Sequence, residues 1–187
     1  VIMGNHDLFY REKREINWKG KTVSTGIFKF PVKTPIYLDI EDVRGDTICN
    51  RDHHGGVLQA IYGYSLTHYA FFKPSYPDLD WRLGMFGENL TIDVLDETKI
   101  HQGDTFKVGE AILEATVPRN PCYKLGIRFN DMQIVKQFWN TTMCGVYFKV
   151  IQTGFVKAGD ELIQIKSCPE KLTIADLYVA KRLEKGI

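Results

Sequence analysis

Cys122 is the residue in this sequence with the most suggestive chemical setting. It stands in Pro118-Arg-Asn-Pro-Cys-Tyr-Lys124, where two prolines fix the backbone on the approach to the thiol. Arg119 and Lys124 flank it with positive charge. Cationic neighbours favour the thiolate, the form that attacks electrophiles and binds soft metals. The alternative is a small hydrophobe packed in a strand-edge loop. Cys49, Cys144 and Cys168 have no such setting and read as structural. No pair of cysteines has CxxC spacing, so a zinc ribbon and a thioredoxin-like motif are both unsupported.

Three further clusters carry polar chemistry. In Asp52-His-His-Gly-Gly56, Gly55 and Gly56 after His54 allow close backbone approach and expose N–H groups, as a phosphate or pterin cradle requires. A tight turn with solvated histidines is the alternative. Adjacent histidines point apart and no third ligand has motif spacing, so zinc is not expected there. Glu88 and Asn89 precede a strand, where they either hydrogen-bond a polar heterocycle or tie the loop to the fold. Lys29, in Thr25-Gly-Ile-Phe-Lys29, either reaches an anion or is a solvated surface charge.

The elements that must position these residues are mostly strands. The chain to about Asn17 is charged and weakly patterned, with a loose first strand. Lys21–Lys29 reads as a strand stopped by Pro31, and Ile36–Ile40 as a short extended piece. Arg44–Gly56 is a polar loop. Leu58–Tyr64 reads as a strand, followed by a helix that Ser65 caps and Pro74 ends. Tyr76–Gly87 is irregular and Leu90–Val94 alternates like a strand. Gly103-Asp104 turns the chain into Thr105–Val108, and Gly109-Glu110 makes a hairpin into Ala111–Val117. The loop around Pro118–Leu125 leads to helical spacing over Asp131–Trp139. Gly145–Gln152, Gly154–Val156 and Glu161–Lys166 are strands, and Thr173 with Asp176 opens a final helix to about Leu183. Tyr62, Tyr64, Tyr69, Phe71 and Phe72 follow these periods and read mostly as core. Many short strands with Gly/Asp turns predict a mainly β fold, a barrel or sandwich, and argue against a doubly wound α/β sheet.

The chain has 187 residues, 24 Lys+Arg against 23 Asp+Glu, and a formal net charge of +1. That is enough chain for one self-supporting domain. The charge balance argues against a broad basic nucleic-acid-binding surface. No stretch approaches the roughly 20 apolar residues of a membrane span, and no signal peptide is evident at the start. The expectation is a cytoplasmic protein with reduced cysteines.

The order of these segments is more informative than any one of them. Thr25-Gly-Ile-Phe-Lys29, Gly45-Asp46, His54-Gly-Gly56 with Gln59-Ala-Ile-Tyr-Gly-Tyr64, Phe86-Gly-Glu-Asn-Leu90, Gly103-Asp104 and Pro118-Arg-Asn-Pro-Cys-Tyr-Lys124 follow one another. This series resembles the MOSC (molybdenum cofactor sulfurase C-terminal) domain family, in its bacterial YiiM-type branch. The resemblance runs over residues 21–166.

The resemblance implies a closed, mostly antiparallel β-barrel domain over 1–170 with a few peripheral helices and a C-terminal helix in 171–187. It implies a molybdenum cofactor (molybdopterin) with Cys122 as metal ligand. Lys29, His54, Gly55, Gly56, Gln59, Glu88, Asn89, Arg119, Tyr123 and Lys124 are the positions expected around the cofactor, with His54 or a tyrosine as proton source. It further implies reduction of N-hydroxylated or N-oxide small molecules, with electrons from a separate flavoprotein or ferredoxin, since the chain has neither a GxGxxG motif nor an iron–sulfur cysteine pattern. A homodimer is compatible with this reading, and no nucleic-acid or membrane partner is expected. Many relatives carry Pro-Asp-Arg/Lys after the His-Gly-Gly; here Val57-Leu58-Gln59 leaves Gln59 neutral. Longer relatives continue into a helical bundle, so a lid or partner surface is expected to be missing. Two other functions remain open: persulfide transfer through Cys122, and a non-catalytic molybdopterin-binding module.

Overall fold

The computed structural model describes residues 8–11, 14–44 and 56–187. His53, His54, Gly55 and Cys49 lie outside the described residues. The first strands are β1 (Leu8–Arg11), β2 (Arg14–Trp18), β3 (Lys21–Thr25), β4 (Lys29–Val32) and β5 (Ile36–Leu38). After a 3-10 turn at Val57–Gln59 come β6 (Ile61–Ser65), α1 (Leu66–Phe72) and β7 (Leu90–Ile92). The hairpin β8 (Thr105–Val108) and β9 (Ala111–Pro118) precedes α2 (Tyr123–Phe129) and α3 (Gln133–Trp139). The chain closes with β10 (Val146–Gln152), β11 (Gly154–Val156), β12 (Leu162–Lys166) and α4 (Ile174–Glu184).

Eight strands form one sheet in the order β12-β8-β9-β10-β6-β7-β1-β4, while β11 pairs with β5 and β2 with β3. Among the described residues all strand pairs are antiparallel except β6–β7. This corrects the expected closed barrel: among the described residues the sheet is a curled half-barrel, with β12 and β4 at its two ends rather than paired together. The physical reason lies in the strand ends. β5 leaves the neighbourhood of β4 to pair with β11. Pro31 sits inside β4 instead of stopping a strand before it, and proline is tolerated in a strand that has a neighbour on one side only.

Two expectations about local structure also change. Val57–Gln59 forms a turn, so the strand expected from Leu58 starts at Ile61. The loop expected through Leu125 contains α2, a helix of 7 residues too short to impose a clear period. Ser65 stands at the α1 N-terminus without a side-chain cap. Its hydroxyl instead accepts the Leu95 N–H at 3.0 Å and joins β6 to the segment after β7.

The core is aromatic on the side that matters for the site. Tyr64, Tyr69, Phe72, Phe86, Phe129 and Phe138 are all buried and pack in tilted, edge and stacked contacts. Such pairs add to the gain from removing large apolar area from water. Phe71, on the outer face of α1, is exposed. α4 closes this region, with Tyr178 stacked on Trp139 at 4.9 Å and Tyr178 Oη donating to the Phe138 carbonyl at 3.1 Å. No described helix is long and apolar enough to cross a membrane.

Candidate functional site

The end of β9 delivers the site. Pro118 pairs with Val146 of β10, and the chain then leaves the sheet through Arg119 and Pro121 into α2. Cys122 precedes the first turn of α2 in extended backbone (φ −127°, ψ 173°), half-buried and not in a disulfide. Tyr123 is exposed and Lys124 half-buried.

Arg119 is only 7% exposed. Its guanidinium lies over the Tyr62 ring, 4.9 Å from the centroid, and near Phe138 at 5.9 Å. One N–H donates to the Phe86 carbonyl. A desolvated cation on aromatic faces is held in one orientation as well as stabilised. Burial works against its charge, but Tyr62, Tyr147 and Cys122 favour it and raise its pKa above the ordinary value. Arg119 and Tyr147 both lie within electrostatic reach of Cys122.

Tyr62 and Tyr147 are cross-strand partners in β6 and β10, with ring centroids 5.0 Å apart. Burial raises both phenol pKa values, which the Arg119 charge partly opposes. Tyr62 is therefore a neutral phenol at ordinary pH, and its O–H donates to the Cys144 carbonyl at 2.8 Å.

Glu88 and Asn89 stand behind this arrangement. Glu88 is fully buried, and Oε1 accepts from Tyr69 Oη, from Gly84 N–H at 3.0 Å and from Thr91 Oγ1 at 2.9 Å. Its Oε2 accepts the Phe86 N–H at 3.1 Å. Asn89 Oδ1 accepts the Tyr62 N–H at 3.0 Å, and Tyr62 O accepts the Asn89 N–H at 2.8 Å. Both side chains thus tie the loop to the sheet, the second of the two roles open to them from sequence.

Lys29 is buried at the start of β4. Gly56 is exposed at φ +91°, and Gln59 is half-buried at the end of the turn that follows. Thr116 Oγ1 holds that turn against β9 and β10, donating to Leu58 O at 2.5 Å and lying 2.8 Å from Tyr147 O. His54 and Gly55 lie outside the described residues.

The structure therefore brings Arg119 and Cys122 together and adds Tyr62, Tyr147, Phe86 and Phe138, none of which the sequence singled out as part of a site. The only signal for the tyrosines was their strand spacing, which equally describes core.

The sequence profile of the MOSC domain matches residues 50–163. This chain belongs to the MOSC domain family. Among its relatives, YflK of Bacillus subtilis (strain 168) is 34% identical over 172 residues, covering 92% of this chain and 71% of the relative. A protein of Gibberella moniliformis (strain M3125 / FGSC 7600) named reductase is 31% identical over 147 residues, 76% of this chain and 26% of that protein. The crystal structure of YiiM from Geobacillus stearothermophilus superposes with a TM-score of 0.80 at 26% identity, covering 99% of this chain and 86% of the other.

Proposed function

We propose that this MOSC domain binds a molybdopterin-type molybdenum cofactor through Cys122 and reduces N-hydroxylated or N-oxide small molecules in the cytoplasm. The observation that carries the reading is the pairing of a half-buried free thiol with a caged, permanently charged guanidinium three residues earlier. This donor set fits the group. A thiolate is the soft ligand that suits molybdenum. A buried guanidinium is a fixed cation with planar N–H donors for a phosphate.

In this assignment Arg119, Lys124 and Lys29 supply positive charge to the cofactor's phosphate. Gly55, Gly56, Gln59 and Tyr123 are proposed to border it. Glu88 and Asn89 act behind it by fixing the backbone of Phe86 and Tyr62. The bound cofactor would supply two-electron chemistry, by which an N-hydroxyl compound, two electrons and two protons become the amine and water. Electrons come from a separate flavoprotein or ferredoxin. The proposed proton donor is His54, and the Tyr62 proton is engaged with the Cys144 carbonyl. The reductase name of the fungal relative supports an oxidoreductase.

The test is molybdenum and pterin content in protein purified gently from a cofactor-competent host, wild type beside Cys122→Ser. Stoichiometric metal in the wild type, lost in the variant, is the expected result. Absence of metal and pterin from the wild type, with failed loading in vitro, overturns the proposal. A persulfide on Cys122 without molybdenum would transfer the assignment to sulfur transfer.

A further inference from the structure

Another buried carboxylate, on the segment after β7, stands behind the Arg119 cage. Glu97 follows β7 in Leu95-Asp-Glu-Thr-Lys99, a run that looks like a solvated turn. It is nevertheless 3% exposed. Both its oxygens lie 2.9 Å from Nε2 of buried His68 on α1. Oε1 also accepts the Gly145 N–H at 2.7 Å. Burying an acid is costly unless its oxygens are matched, and His68 and the Gly145 N–H match them here.

What Glu97 holds is the Cys144-Gly145 turn, and that turn holds Tyr62. Gly145 has φ +69°, and a Cβ there would lie 2.5 Å from Tyr62 Cε2 and 2.6 Å from its hydroxyl. The backbone therefore presses directly against the phenol. Tyr62 Oη donates to the Cys144 carbonyl in the same turn. The other face of the relation is Arg119, whose guanidinium lies over the Tyr62 ring.

We infer that Glu97, clamped by His68, is a positioning residue for the candidate site: it fixes the 144–145 turn, the turn fixes the Tyr62 ring, and the ring orients Arg119 toward the ligand. Glu88 fixes the opposite wall, because it binds the Phe86 N–H while the Phe86 carbonyl accepts from Arg119. The chain of contacts is contiguous, short-ranged and buried, as outer-shell support of a binding group must be. The inference deepens the reading proposed above and rests on Arg119 serving a ligand.

The experiment is nitrogen NMR of the Arg119 side chain in the full chain, assigned with Arg119→Lys, in wild type, Glu97→Ala, Glu97→Gln and Glu97→Asp. Pterin and molybdenum retention is measured on the same proteins. A hindered guanidinium with a distinct Nε–H signal is expected in the wild type. Glu97→Ala should lose that signature and weaken cofactor retention about tenfold. Glu97→Gln, which keeps an acceptor for Gly145 N–H, should restore both. Glu97→Asp keeps the charge but draws the acceptor back from the Gly145 N–H, so it should shift the Arg119 signal and carries the test if Glu97→Ala does not fold. An Arg119 signature unchanged in Glu97→Ala, or in Glu97→Asp if Glu97→Ala does not fold, overturns the inference. Equal loss in Glu97→Ala and Glu97→Gln also overturns it. If the wild type carries neither metal nor pterin, the functional reading fails while the Arg119 spectrum still decides this one.

Discussion

Tyr64 and Glu88 are buried a few ångströms from the same aromatic rings, yet their polar atoms fare differently. Tyr64 Oη is buried with no hydrogen-bond partner among the described residues, while both Glu88 oxygens accept hydrogen bonds. A buried hydroxyl that lacks a partner costs about 1–3 kcal/mol. Tyr64→Phe should therefore raise unfolding stability by about 1 kcal/mol in urea denaturation; a loss of that size would show that the hydroxyl is in use. Glu88→Gln places an NH2 where donors already point. It should cost about 2 kcal/mol in the same measurement. Arg119→Lys keeps the charge but loses the planar fork over Tyr62, so ligand binding should fall even where stability changes little; isothermal titration with the pterin cofactor reads the difference.

Among the elements, the connection into β10 leaves no room for a side chain. Gly145 combines positive φ with contact against Tyr62, and a methyl group there meets both strain and overlap. Gly145→Ala should destabilise by about 3 kcal/mol, seen as a lower urea midpoint. α4 shows the opposite case, a helix whose local signals are sufficient. Thr173 Oγ1 accepts the Asp176 N–H at 3.0 Å, and Asp176 completes the capping box. Thr173→Ala should cost about 1 kcal/mol, measured the same way. The β8–β9 hairpin is equally local: its alternation and its Gly109-Glu110 turn suffice to define both strands.

For the molecule as a whole, buried tyrosines set the alkaline limit. Burial raises the phenol pKa of Tyr62, Tyr64 and Tyr69 well above 10.0, and burial with the Asp131 charge pushes Tyr76 up to about 12. The folded state keeps these protons after the unfolded chain begins to lose them near 10. The unfolded state thus binds fewer protons there, and stability falls as pH rises through that window. It is retained in full below pH 10, as far as these groups are concerned. A melting-temperature series from pH 8 to 12 should show a plateau and then a steep drop, with a shallower drop in Tyr64→Phe.

Sequence by itself determined the mainly β class, most strand positions from β6 onward, the capped last helix and the Arg119–Cys122 pair. Those features depend on alternation, turn residues and spacing within a few positions, so they are written locally. It also supplied the family, because ordered motifs survive without knowledge of contacts. Only the tertiary structure decided that β4 and β12 stand at the two ends of the eight-stranded sheet among the described residues, that β6 and β7 run parallel, and that Pro31 lies within a strand. It also decided that Glu88 and Glu97 face inward to brace the backbone. Strand partners and burial of a charge depend on what the rest of the chain brings alongside. A carboxylate is worth burying only where donors from distant segments converge on it, and that convergence has no signature in the residues next to it.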